Sequence, residues 1–148
     1  MILVDANLLL YAYDPRAAEH AASRRWLEAT LSGTPLVRFT WLTVWAFLRI
    51  TTNPRVFERP LSAAEAGQHV SSWLAQPSAG ILEPGERHWE ILQQLTREGQ
   101  AAGPLVMDAA LAAIAIEHGA TLCTTDRDFA RFPGLVWKNP ITPRTPPE

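Results

Sequence analysis

Four aspartates, Asp5, Asp108, Asp126 and Asp128, are the residues of this chain whose type and placement could do chemistry. Asp5 stands between two apolar runs in MILVDANLLLYAYD, where a buried carboxylate costs free energy unless something pairs with it. Asp108 opens the apolar stretch DAALAAIAIEHG, and Asp126 and Asp128 follow ATLCTT within DRDF. Asp is a favoured helix N-cap, so each acid taken alone reads as a cap that accepts backbone N–H bonds. Carboxylates gathered in one place do something else: they repel, and raise one another's pKa, unless a cation neutralises them. A small set of hard oxygen ligands suits Mg²⁺, with Mn²⁺ able to substitute, because these ions keep several waters and need few protein carboxylates. Such an ion orients a water, lowers its pKa and stabilises charge developing on a phosphoryl oxygen. Caps or ligands: the choice depends on whether the fold brings the four acids together.

The elements that must position them follow from periodicity and punctuation. MILV reads as a short strand, and Asn7–Tyr13 as a helix that stops at Asp14-Pro15. Residues 17–31 are helical, LVRF (36–39) is a strand, and TWLTVWAFLRITTNP carries Trp41, Val44, Trp45 and Leu48 at helical spacing before Pro54. Ser62 and Glu65 form a capping box for the next helix. GIL (80–82) is a short strand, a helix starts near Glu86, and the helix from Asp108 stops at Gly119. ATLCTT (120–125) is a buried strand, DRDFARF a short helix and GLVW (134–137) a last strand. Strands separated by helices imply crossovers, hence a three-layer α/β/α domain with a mainly parallel sheet. Asp5 and Asp126 each follow a strand and so share its carboxyl-terminal edge. Asp108 begins a helix antiparallel to the strand it feeds, so it lies over that same edge, and Asp128 is two residues past Asp126. This rim is where open α/β sheets bind ligands. Thr124 and Thr125, just before Asp126, could offer a hydroxyl to a carboxylate or phosphate, or be ordinary β-branched strand residues.

Composition bounds the function class. The 148 residues suit one compact domain, expected over 1–138, with the Pro-rich end NPITPRTPPE (139–148) as an extended tail. A net charge of −2 gives no global footprint for nucleic acid, so any such partner must be met by local arginines. Arg49, Arg55, Arg127 and Arg131 are the candidates. One cysteine, Cys123, fits a reducing cytosol and excludes an internal disulfide framework. Asp5 interrupts the apolar start and no basic region precedes it, so no signal peptide is expected, and the longest apolar runs are too short to span a bilayer. The four histidines lack metal-ligand spacing. Trp41, Trp45 and Phe47 are expected in the core, because their helix is apolar almost all round; exposed, they would form a groove for a partner helix.

The opening VDAN, the helix start MDAALAAIAIEHGA and the segment TTDRDFARF resemble the PIN-domain ribonucleases. FLRITTNPRVF and the chain length point to their VapC-type toxins, and the resemblance runs from Ile2 to about Trp137. It implies a PIN-like α/β/α sheet, Mg²⁺-dependent hydrolysis of RNA phosphodiesters to 5′-phosphate and 3′-hydroxyl ends, a cognate VapB-type antitoxin that blocks the site, and a homodimer. By position, Asp5, Asp108 and Asp126 match the family's metal-binding acids, Asp128 matches its weaker fourth acid, and Asn7 its supporting polar residue; Thr125 is a further candidate support. In one place the chain departs from the pattern. The family's E-x-x-R places a Glu three residues before the Arg of the third helix, and here Arg49 is present but Ala46 occupies the Glu position. That departure supports an alternative, a catalytically degenerate PIN-fold module that binds RNA or protein. A haloacid-dehalogenase-like phosphohydrolase also places an Asp after its first strand, but needs a second Asp where this chain has Asn7.

Overall fold

The structure, a computed structural model, describes residues 1–142. Its strands are β1 (Ile2–Val4), β2 (Val37–Phe39), β3 (Ala79–Ile81), β4 (Thr121–Cys123) and β5 (Trp137–Lys138). The helices are α1 (Ala6–Tyr13), α2 (His20–Leu31), α3 (Trp41–Thr51), α4 (Ala63–Leu74), α5 (His88–Glu98) and α6 (Leu105–His118), with a 3-10 turn over Arg127–Arg131. The five strands form one sheet in the order β3-β2-β1-β4-β5, and every pairing is parallel. The chain therefore winds outward from β1 to β3, then returns to the other side of β1 to lay down β4 and β5. Between β1 and β4 the order reverses, and a crevice opens there at the carboxyl edge.

Alternation along β1 shows how the two faces are filled. Leu3 packs with Ile91, Leu95, Ala112 and Ile114 under α5 and α6, while Val4 packs with Leu8, Leu27, Val44 and Phe47 under α1 to α4. Successive strand residues point to opposite faces, so adjacent apolar positions serve two separate cores. α6 is buried on most sides, with Ala109, Leu111, Ala112, Ala113, Ile114 and Ala115 all inside. The small side chains let it lie close to the sheet, and Gly119 ends it in the left-handed conformation (φ 66°), which costs a glycine nothing. The expected capping box is formed: the Ser62 hydroxyl accepts from the Glu65 N–H, and the Glu65 carboxylate accepts from the Ser62 N–H, both at 3.1 Å.

Two boundaries differ from the sequence-based expectation. α6 starts at Leu105, so Asp108 lies in its first turn rather than at its start. The packed structure also runs past residue 138, since Ile141 rests against the core under α1 to α4; residues 143–148 of the expected tail lie outside the described residues. Among the described residues no helix is long and apolar enough to cross a membrane.

Candidate active site

Asp5 follows β1 directly and Asp126 follows β4 by three residues, so the two stand on the strands that flank the switch point. Asp5 is both a cap and something more. Its Oδ1 accepts from the Ala6 N–H at 2.7 Å, at the start of α1. Its Oδ2 accepts from the Thr124 hydroxyl at 2.8 Å and from Asn7 Nδ2 at 3.4 Å. Thr124 Oγ1 in turn accepts from Asn7 Nδ2 at 3.1 Å and from the Asp126 N–H at 3.1 Å. One buried hydroxyl thus ties the loop after β1 to the loop after β4. The supporting hydroxyl is that of Thr124, not of Thr125, which offers only its N–H to Asn7 Oδ1 at 3.5 Å. Thr124 is fully buried, whereas Thr125 is only partly so.

Asp126 caps the 3-10 turn, its Oδ1 accepting from the Asp128 N–H at 2.9 Å. Asp108 reaches the same place from α6. Burial, then the charges of Asp126, Asp5 and Asp128, push its carboxyl up to about 6, against the pull of Arg131. The other three acids all act on Asp108, so the four share one electrostatic neighbourhood. Burial raises the Asp5 carboxyl too, and Asp126 adds to the rise, while the bonds from Thr124 and Ala6 favour its charged form.

Asp5 and Asp108 line a cleft of about 500 Å³, shared with Leu42, Trp45, Ala46, Arg49 and Met107. Among the described residues, no three acidic, histidine or cysteine side chains close on one point as a ready-made metal cage. A cage is not what Mg²⁺ requires; it takes one or two carboxylates and keeps waters in its remaining positions. Asp5, Asp108 and Asp126 could hold such an ion, since their donors are hard oxygens and their mutual repulsion is what a cation relieves.

The PIN domain family matches residues 2–135. Ribonuclease VapC37 of Mycobacterium tuberculosis is 45% identical over 141 residues, covering 95% of this chain and 97% of the relative. Ribonuclease VapC43 of the same organism is 41% identical over 145 residues, covering 98% of this chain and 99% of the relative. This chain belongs to the PIN-domain family, in its VapC group. Solved structures agree in fold. VapBC2 from Rickettsia felis, bound to a DNA fragment from its promoter, superposes with a TM-score of 0.69 at 17% identity, over 94% of this chain and 98% of that one. VapC20 of M. tuberculosis, described as a sarcin-ricin loop cleaving toxin, gives 0.66 at 16%, over 92% and 99%.

For a PIN-domain protein of this group, the position of Ala46 matters. It lines the acid cleft, one helical turn from Arg49, so a Glu there would face the aspartates. Among the described residues no other acid takes its place: Glu65 is held in its capping box, and Glu58 borders a separate hollow beside Tyr13 and Arg16. The arginines are dispersed. Arg49 is in the cleft wall, and Arg131 acts on Asp108 while donating to the Gly99 carbonyl at 3.0 Å. Arg127 is exposed on the 3-10 turn, and Arg55 sits in the turn after α3, away from the cleft lining.

The tryptophans correct an expectation. Phe47 is buried, but Trp41 is 41% and Trp45 60% exposed. α3 is apolar all round because one face meets the core and another meets the cleft, and composition alone does not distinguish the two. Trp45 was missed as a lining residue for that reason.

Proposed function

We propose that this PIN-domain protein is a metal-dependent endoribonuclease, the toxin of a VapB–VapC type pair, cutting RNA to leave 5′-phosphate and 3′-hydroxyl ends. The observation that carries it is the gathering of Asp5, Asp108, Asp126 and Asp128 at the edge where β1 and β4 diverge, where burial and then the other three charges raise the Asp108 carboxyl. Such repulsion is maintained in a fold only when something offsets it, and Mg²⁺, with Mn²⁺ as substitute, is the fitting counter-charge. Asp5, Asp108 and Asp126 would hold it. When bound, the ion supplies a water of lowered pKa and neutralises charge on the phosphoryl oxygens. Thr124 and Asn7 fix the Asp5 carboxylate in one orientation, and Asp128 steers the attacking water in line with the departing 3′ oxygen. Arg49 meets a phosphate from the cleft wall.

Relatives named as ribonucleases, at 41–45% identity over nearly full length, support the reaction class. Neighbouring structures of VapBC complexes support an antitoxin as partner; a homodimer is the assembly we propose for it. The single buried Cys123 suits the cytoplasm. Incubating the purified protein with RNA in Mg²⁺ and in EDTA, beside Asp5→Asn and Asp108→Asn, tests the reading. Cleavage should need the ion, vanish in both variants and leave 5′ ends that ligate without prior phosphorylation. Intact RNA under all conditions would instead favour the degenerate binding module that Ala46 suggests, and cleavage persisting in EDTA would remove the metal.

A further inference from the structure

We propose that Trp45 is the platform on which one base of a single-stranded RNA stacks beside the scissile phosphate, with Arg49 meeting a neighbouring phosphate. This rests on the ribonuclease reading and names the form of its substrate. Trp45 belongs to two hollows at once. It lines the acid cleft with Asp5 and Asp108, and also an adjoining hollow of about 360 Å³ that contains Trp41, Leu82, Leu92 and Val106. The two hollows share Leu42, Trp45 and Met107, so the acid-lined cleft adjoins an apolar one.

Among the described residues, the aromatic rings of this side of the sheet pair around Phe47, His69 and Trp73, and Trp45 takes no part. Trp45 is 60% exposed at the cleft wall. Arg49 follows it by one helical turn, about 6 Å along the axis, a separation that one nucleotide can bridge between base and phosphate. Ala46, small, shares the cleft lining with them.

Charge argues for a single strand. The chain carries a net −2, and its cleft is lined by Asp5 and Asp108 with Arg49 as its one cation among the described residues, so tracking phosphates supplies little of the affinity. Stacking supplies sequence-tolerant affinity without charge, and only an unpaired base presents both faces to a ring. A partner protein could also cover Trp45, and the test distinguishes the two.

Binding of a short fluorescent single-stranded RNA is followed by anisotropy in an Asp108→Asn background, alone and combined with Trp45→Ala or Trp45→Phe. The same RNA with one abasic nucleotide, moved along its length, is measured in parallel, and cleavage by the unmodified protein is measured separately. Trp45→Ala should weaken binding roughly 5- to 100-fold, and Trp45→Phe much less. One abasic position should cost the parent a similar factor and cost Trp45→Ala nothing more. Equal affinity of Trp45→Ala and the parent for both RNAs overturns the proposal; loss of self-association or antitoxin binding in that variant would then assign the ring to a protein contact. Trp45-dependent RNA binding without cleavage would leave the platform standing and remove the ribonuclease. Absence of RNA binding by every form overturns the platform, whatever the cleavage result.

Discussion

The hydroxyl of Thr124 donates to Asp5 Oδ2 at 2.8 Å, joining two loops 119 positions apart in sequence. The bond favours the charged form of a carboxyl that burial pushes the other way. Thr124→Val keeps the shape and removes the donor. It should cost about 1–2 kcal/mol in urea unfolding and weaken Mn²⁺ binding by titration calorimetry roughly tenfold. Thr124→Ser should restore most of both. Unchanged Mn²⁺ affinity in the valine variant would mean that Asp5 is no ligand.

Asp108 makes stability depend on pH in a direction opposite to most carboxylates. Its carboxyl is about 6 in the folded protein against 3.8 ordinarily, so between those values the folded state binds more protons than the unfolded. Stability from this group is therefore highest below about pH 4 and is lost as pH rises through 6. The loss at pH 7 is about 1–2 kcal/mol once screening of a partly exposed group is allowed for. Asp14, Glu65 and Glu117 are lowered and slope the other way, so the comparison must be with Asp108→Asn. In EDTA the variant should melt higher than the parent at pH 7 and equal to it near pH 4. Mg²⁺ should close the gap at pH 7.

Ala46→Glu places a fifth carboxylate in the cleft. Without metal the added repulsion should lower the melting temperature at pH 7. With Mg²⁺ the added ligand should tighten binding roughly tenfold. If the melting temperature is unmoved in EDTA, residue 46 does not face the acids.

Trp45 and Phe47 share α3 but should respond oppositely to truncation. Phe47 is fully buried, with its ring 4.8 Å from that of Trp73, and Phe47→Ala should cost about 3–5 kcal/mol. Trp45→Ala, at an exposed position, should stay within about 1 kcal/mol of the parent. Urea denaturation of the pair checks both, and a large loss at Trp45 would mean that its ring supports the core.

Much of this was written in local sequence. The strand–helix alternation, the capping box at Ser62 and the stop at Gly119 are nearest-neighbour effects, set by backbone sterics and hydrogen bonds within a few residues. Topology followed from them, because parallel strands joined by helices leave few ways to wind. With the topology came the common edge for Asp5, Asp108, Asp126 and Asp128, since strand direction alone decides which end of the sheet an acid occupies. Other features depended on contacts between distant segments. Whether Thr124 or Thr125 serves Asp5 depends on the phase in which β4 meets β1, and local sequence does not carry that phase. Whether Trp45 is core or cleft wall depends on which face of α3 finds a neighbour. The acids could be placed from sequence because a carboxylate is costly wherever it is buried; tryptophan could not, because its free energy depends on what the rest of the chain brings against it.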